Sequence, residues 1–108
     1  MHNLNEFTGE EYVHVINENL VGIYIALFTK KGVNQKLTDI ATSKVKLGFS
    51  GKMGNKGAAL IRFLYEDTSF CFINCHLDSG LGYAEQKKRV QQISEIYNNA
   101  FINERGTR

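Results

Sequence analysis

A glycine at every third position of one short segment constrains this chain more than any other feature. Residues 48–57 read Gly-Phe-Ser-Gly-Lys-Met-Gly-Asn-Lys-Gly and lie between runs of β-forming residues. Glycine permits positive φ angles and lets other atoms come close to its backbone N–H groups. Lys52 and Lys56 add mobile cations that suit a phosphate. The segment predicts a phosphate-contacting loop, and the alternative is a glycine-rich connection between strands whose lysines are solvated.

A second segment places a histidine at the end of an apolar strand. Residues 72–80 read Phe-Ile-Asn-Cys-His-Leu-Asp-Ser-Gly, which is typical of a strand followed by a turn. Asn74 and His76 share one face of that strand, and the turn would leave the imidazole at the edge of the sheet. A histidine there can act as an acid, a base or a phosphate ligand, or it can be purely structural. Together the two segments indicate phosphate chemistry.

The rest of the chain predicts a β-β-β-β-β-α order. Residues 12–16 and 20–28 are β-rich runs separated by a turn composition at residues 17–19. A polar loop over 30–39 precedes a short strand over 43–47, and residues 58–65 and 69–75 read as antiparallel partners. Residues 84–101 change to a helical period. The apolar helical stripe consists of Val90, Ile93, Ile96 or Tyr97, and Ala100 or Phe101.

The strand over residues 69–75 is apolar on both faces, so we expect it to be central and covered on both sides. One helix cannot cover both faces of such a sheet, and we therefore expect the chain to be part of a larger domain. The expected division is a connection over 1–11, strands and the glycine segment over 12–76, a loop over 77–83 and a helix over 84–102. No internal repeat or second domain is evident.

Composition restricts the class of protein. At 108 residues, 43% hydrophobic and 11% aromatic, the chain has globular values. No apolar run approaches the ~20 residues of a membrane span, and we find no signal-peptide core. Cys71 and Cys75 would be about 13 Å apart in a strand, beyond disulfide reach. Free thiols favour a reducing compartment, so we expect a cytoplasmic location. The net charge of +2 means that any basic patch is local.

The two motif segments resemble the inositol polyphosphate 5-phosphatases of the endonuclease/exonuclease/phosphatase superfamily. That family carries Gly-x-Met-Gly-Asn-Lys-Gly-Ala before a strand and then Phe-x-Asn-x-His-Leu, which match residues 51–58 and 72–77. The resemblance covers roughly residues 12–101. It implies part of a four-layer α/β sandwich of the deoxyribonuclease-I-like type, here mostly antiparallel strands plus one C-terminal helix. The implied reaction is Mg²⁺-dependent removal of the 5-phosphate from an inositol headgroup.

The resemblance also implies roles for individual residues. His76 would lie in the catalytic cleft and hydrogen-bond the scissile phosphate, and an imidazolium there would offset charge developing on the phosphoryl oxygens. Asn55 and Lys56 would approach the phosphodiester of a lipid headgroup, and Met53 would touch the lipid chain. The implied substrate-binding residues are Met53, Asn55, Lys56, Asn74 and Arg89. The expected partners are a phosphoinositide lipid or soluble inositol polyphosphate and a peripheral membrane surface, with no nucleic acid.

Two stretches depart from the family pattern. Asp78 follows His-Leu, where the family has small or uncharged residues, and we expect it to be a solvated turn residue. Arg89 fits the family's Arg-Asn-x-Asp-Tyr, whereas residues 90, 92 and 93 do not, so we expect no hydrogen-bond network of the family's kind there. Cations at residues 87–89 oppose the helix macrodipole at about 0.3–1 kcal/mol each. One interpretation of these cations is that an anionic membrane or substrate lies nearby. The other is that they form a solvated face of the helix.

The chain lacks the segments that would hold the metal in the family. These are a glutamate on an upstream strand, a downstream Gly-Asp-x-Asn and a late Asp-His pair, and none occurs in the 108 residues. We therefore assign no metal ligand. Two other hypotheses remain: a non-catalytic phosphoinositide-binding remnant, and a nuclease or sphingomyelinase relative of the same fold. The glycine segment argues against the latter, since a nuclease would be expected to place different residues there.

Overall fold

The computed structural model describes residues 11–48 and 55–102, which form two small antiparallel sheets and a helix. β1 (Tyr12–Leu20) and β2 (Ile23–Lys30) make a hairpin, and a 3-10 turn (Val33–Lys36) leads into the second sheet. That sheet has the order β3 (Leu37–Lys46), β4 (Gly57–Tyr65) and β5 (Thr68–His76), and α1 (Tyr83–Asn99) follows it. No helix in the described ranges is long and apolar enough to cross a membrane. The predicted order of elements is confirmed.

The turn of the first hairpin lies later than the sequence predicts. Leu20 pairs with Ile23, so the loop between them has two residues, Val21 and Gly22, with φ angles of 38° and 84°. Two positive φ angles give the turn the twist that suits two-residue hairpins. The prediction of a turn at residues 17–19 is wrong because those polar residues belong to β1, and a β-branched valine gives no sequence signal for positive φ.

β3 is twice as long as the short strand predicted over residues 43–47. Its pairing with β4 shifts register between Thr38 and Ala41, where Asp39 takes a φ of 52°. The irregularity interrupts the alternation of polar and apolar residues, which is why the first half of β3 reads as a loop in the sequence. Glu18 ties β3 to the hairpin, because its Oε2 accepts a hydrogen bond from Thr42 Oγ1 at 2.9 Å.

β4 is the central strand and is covered on both faces. Its alternate residues Ala58 and Leu60 pack toward α1, in a cluster completed by Val45, Leu47, Ile96 and Ala100. On the other face, Ile61 and Phe63 pack with Leu37 against the hairpin. Coverage on both sides explains why this strand reads as a continuous apolar run rather than an alternating one.

The prediction that residues 69–75 form a central, covered strand is not met within the described chain. β5 lies at the edge of its sheet, and all nine of its residues are exposed, with Phe72 at 50% and Ile73 at 53%. The apolar pattern on both faces indicates that each face is covered in the folded protein. The pattern does not say which element covers them. In residues 11–48 and 55–102, α1 packs mainly over β3 and β4 and leaves β5 open.

The predicted apolar stripe of α1 is only half right. Ile96 and Ala100 are buried, whereas Val90, Ile93 and Tyr97 are more than half exposed. Ile93 and Tyr97 instead overhang an open groove between α1 and β5. The helix ends at Asn99, three residues before the predicted end.

Candidate functional site

The candidate site lies where β4 begins and β5 ends. These strands run antiparallel with Gly57 opposite His76, so the end of the glycine segment is brought against the strand-end histidine. Asn55 and Lys56 immediately precede Gly57 and therefore lie beside the imidazole. The pairing of β4 with β5 thus brings Lys56 close to His76, although the two lie 20 positions apart in sequence. Of the predicted substrate-binding set, Met53 lies outside the described residues.

Gly57 is required by close packing rather than by an unusual turn. A Cβ atom at this position would come within 2.5 Å of the Val45 carbonyl oxygen and 2.6 Å of Leu20 Cδ2. The backbone oxygen cannot move away without disturbing the pairing of β3 with β4. The absence of a side chain lets the tip of the hairpin sit against the start of β4, next to Lys56.

His76 makes two contacts that define its hydrogen-bonding state. Its Nε2 lies 3.0 Å from Lys56 Nζ, and its Nδ1 lies 3.3 Å from the Asn55 carbonyl oxygen. A lysine ammonium has only donors, so this network assigns Nε2 as the acceptor and Nδ1–H as the donor to Asn55. An imidazolium at His76 against a bound phosphate, which the family resemblance implies, stays a prediction. The positive charge of the pair resides on Lys56.

Asn74 connects the two sheets. Its Nδ2 donates to the Tyr24 carbonyl oxygen on β2 at 2.7 Å, which fixes the hairpin over the last residues of β5. Asn74 and His76 share one face of β5, as the sequence predicts, and that face is turned toward the hairpin. A role for Asn74 in binding substrate stays a prediction.

Asp78 is not the solvated turn residue that the sequence predicts. Its side chain is only 14% exposed, and its Oδ2 lies 3.0 Å from Lys88 Nζ. The hydrogen bond from Lys88 lowers the pKa of Asp78. Burial works against this shift, while the Gln92 side chain and the charges of Lys88 and Lys56 reinforce it. The carboxylate beside the site is therefore ionised and is paired with a cation.

Arg89 and Gln92 of α1 hold the backbone that follows His76. Arg89 Nη1 donates to the carbonyl oxygens of Asp78 at 3.2 Å and Gly80 at 3.0 Å. Gln92 is buried at 6% exposure, and its Oε1 accepts from the Asp78 N–H at 2.9 Å. The sequence analysis did not foresee this network, which Arg89 and Gln92 form with the backbone of the loop. Gln92 lies four residues before Ile96 and eight before Ala100, on the same buried face of the helix. A polar residue at that position was the signal that could have identified it. Arg89 as a substrate ligand stays a prediction.

The described residues do not fit a divalent metal ion. Within 11–48 and 55–102, no group of three or more histidine, cysteine, aspartate or glutamate side chains converges. Of the acids discussed above, Asp78 pairs with Lys88 and Glu18 accepts from Thr42. Magnesium coordination needs several oxygen ligands in near-octahedral geometry. No step of a reaction is therefore assigned to a metal in this part of the chain.

The donors that Lys56 offers are of the kind that phosphate accepts. Lys56 uses one ammonium hydrogen on His76 and retains two that can contact phosphoryl oxygens. Hydrogen bonds from a cation to a phosphate are shorter and stronger than neutral ones.

Comparison with known proteins shows a consistent pattern. A model of the family described as Endonuclease/Exonuclease/phosphatase family 2 matches residues 1–107. A probable inositol polyphosphate 5-phosphatase of Schizosaccharomyces pombe is 37% identical over 95 residues, covering 88% of this chain and 8% of that protein. The phosphatidylinositol 3,4,5-trisphosphate 5-phosphatase 2 of Homo sapiens is 38% identical over 77 residues, covering 71% of this chain and 6% of that protein.

A solved structure agrees with these matches. The inositol polyphosphate 5-phosphatase domain of SPsynaptojanin, in complex with inositol (1,4)-bisphosphate and a calcium ion, superposes with a TM-score of 0.63 at 33% identity. The match covers 82% of this chain and 26% of the solved chain. The predicted fold class, antiparallel strands with one helix from a deoxyribonuclease-I-like sandwich, is confirmed. This chain spans about a quarter of the solved chain and less than a tenth of the two curated relatives above.

Proposed function

The chain belongs to the endonuclease/exonuclease/phosphatase family 2, and on that premise we propose that it supplies phosphate-contacting residues of an inositol polyphosphate or phosphoinositide 5-phosphatase. The reaction is hydrolysis of the 5-phosphate monoester of an inositol headgroup by water. The chain's relatives carry that activity in their names, and one solved relative holds an inositol bisphosphate. A metal ion accompanies that ligand, and we propose Mg²⁺ for this protein, with ligands outside the described residues.

The observation that carries the proposal is the 3.0 Å contact between Lys56 and His76. It places a cation and an imidazole at one strand end, beside the glycine segment. Phosphoryl transfer depends mainly on positioning and on stabilising the charge of the phosphoryl oxygens. Lys56 supplies charge, and His76 supplies a ring nitrogen that accepts from Lys56 in the resting protein and, once protonated, can donate to a phosphate oxygen instead. The two residues thus serve phosphate binding as a unit.

We also propose a site of action at the cytoplasmic surface of a membrane. Lys56 would contact a headgroup phosphate and Met53 an acyl chain, while nucleic acid is not a substrate. The modest net charge of +2 supports a contact through a few local cations rather than a broad basic face.

Phosphate release from the full-length protein that carries this segment tests the proposal. The substrates are inositol (1,4,5)-trisphosphate and vesicles containing phosphatidylinositol 3,4,5-trisphosphate, each with and without Mg²⁺. We expect Mg²⁺-dependent release, strong loss in His76→Ala and little change in the control His14→Ala. His14 lies on β1, where its ring contacts Phe28.

The alternatives give different results in the same assay. Binding of the vesicles without phosphate release would identify a non-catalytic phosphoinositide-binding protein. Cleavage of DNA or sphingomyelin, with no action on inositol phosphates, would overturn the proposed substrate class.

A further inference from the structure

The backbone immediately after His76 is held by three side chains of α1, which we call the loop clamp: Lys88, Arg89 and Gln92. Arg89 contacts two carbonyl oxygens of the loop, Gln92 accepts from the N–H of Asp78, and Lys88 pairs with the Asp78 carboxylate. Every one of these contacts falls within four residues of His76. Loop backbone that leaves a sheet usually bonds to water, so this concentration of side-chain contacts calls for an explanation.

We infer that Arg89 and Gln92 are positioning residues, which fix the direction in which His76 presents its ring. This inference rests on the proposed function. Within the described residues β5 pairs with β4, and His76 is the last residue of that strand, so the direction of its ring also depends on the backbone that follows. Leu77 packs against the cluster beneath α1, and the loop clamp then holds Asp78. The ring itself is held from the opposite side by Asn55 and Lys56.

Gln92 suits this position because its side chain is an amide. Its oxygen accepts from the Asp78 N–H, and its NH2 group is a neutral donor that helps to keep the pKa of the Asp78 carboxyl low. Glutamate has the same shape but offers no donor when ionised, and its charge would face that of Asp78. Replacing Asp78 by asparagine would remove this repulsion and provide a donor to the new carboxylate. We therefore predict that Asp78→Asn restores what Gln92→Glu disrupts.

The test compares four variants of the full-length protein: Gln92→Glu, the rescue pair Asp78→Asn with Gln92→Glu, the control Gln91→Glu and Gln92→Met. Gln91→Glu is the control because it makes the same chemical change at an exposed position of α1. We expect Gln92→Glu to lower kcat about 10- to 100-fold, as for a small displacement of a catalytic group, with KM nearly unchanged. The rescue pair should recover most of the loss, and Gln91→Glu should match the unaltered protein.

A second readout does not depend on activity. The side-chain ¹⁵N signals of His76, assigned by their loss in His76→Ala, should shift in Gln92→Glu, return in the rescue pair and stay fixed in Gln91→Glu. If the unaltered protein hydrolyses no inositol phosphate, the proposed function fails, and these signals still decide whether the clamp positions the ring. Should Gln92→Glu not fold, Gln92→Met removes the hydrogen bond to the Asp78 N–H without adding charge and must show the same shift. Unmoved His76 signals, or a rescue pair as impaired as Gln92→Glu, would overturn the inference.

Discussion

Lys56 and His76 cannot be altered independently, because each is a hydrogen-bond partner of the other at 3.0 Å. The family resemblance implies separate tasks for them, His76 on the scissile phosphate and Lys56 on a headgroup phosphate. The structure adds that loss of Lys56 also removes the donor to Nε2 of the ring.

We expect His76→Ala in the full-length protein to lower kcat about 10²–10³-fold, as for loss of one charge-stabilising donor. Lys56→Ala should mainly raise KM for lipid substrate, more at low salt where screening is weak. Steady-state kinetics of both single variants and the double variant measures their coupling. Because the residues share a contact, the double variant should lose less than the product of the single losses. Strictly multiplicative losses would show that the contact has no part in catalysis.

Asp78 offers a titration that reports on the loop. We expect the pKa of Asp78, followed by carboxyl ¹³C NMR, to lie below the ordinary value of about 3.9 because Lys88 donates to it. Since the folded-state pKa is lowered, the pairing adds stability above that ordinary value, and the stability is lost as pH falls through the lowered pKa. Lys88→Met should return the titration toward the ordinary value, whereas Lys87→Met, one position away, should not. An unchanged midpoint in Lys88→Met would contradict the ion pair.

At the scale of elements, the sequence predicts strands where the apolar pattern is regular and fails where geometry breaks that pattern. β4 and β5 are predicted almost to the residue, because both are continuous apolar runs flanking a short turn. The Val21 turn and the irregular start of β3 are missed, since positive φ at a valine or an aspartate has no reliable signal in one sequence. Only part of the candidate site can be predicted from the sequence. The motifs indicate His76 and Lys56, but the contact between them depends on strand register, and the role of Gln92 depends on the rotation of the helix.

Gly57 lies where the hairpin packs against the three-stranded sheet, and its replacement tests that packing. Gly57→Ala should destabilise the protein by about 1–3 kcal/mol, as for overpacking, because the added Cβ meets the Val45 carbonyl oxygen. It should also lower phosphatase activity, since Lys56 is the preceding residue. Gly22→Ala, at the hairpin turn, is the control: it introduces strain at positive φ but has open space around the new atom. Thermal unfolding and activity together distinguish the two. Equal activity losses in both variants would argue against a special packing role for Gly57.

For the described residues as a whole, exposed apolar side chains lie on and around β5. Phe72 and Ile73, on opposite faces of that strand, are each about half exposed, and the groove between β5 and α1 is lined by Ile73, Ile93 and Tyr97 together with two free thiols. Partial desolvation of the thiol in this groove raises the pKa of Cys71, and the nearby charge of Arg62 partly offsets the shift. Edge strands with apolar faces tend to pair with other chains.

We therefore expect the 108-residue chain, prepared alone, to associate and to unfold without a sharp transition. Ile73→Lys should reduce the association, because a charge on an edge strand opposes pairing. Val90→Lys, an exposed apolar position on α1, is the matched control and should have a smaller effect. Sedimentation and calorimetry measure both quantities. A monomer with a cooperative thermal transition would contradict the expectation.

The same preparation should release no phosphate from inositol phosphates at saturating Mg²⁺, because its described residues gather no metal-ligand group. Measurable Mg²⁺-dependent release from a pure preparation would show that ligands lie among the remaining residues.

The contact between Lys56 and His76 has a consequence for turnover. In the resting protein the imidazole holds one of the three ammonium hydrogens of Lys56, so a phosphate can bind through the other two and competes with the ring only for the third. The imidazole is a tethered competitor for that hydrogen at high effective concentration. When the product phosphate loosens, the ring can recapture the hydrogen at once, which favours release of the product. Where product release limits kcat, this internal competition would speed the cycle.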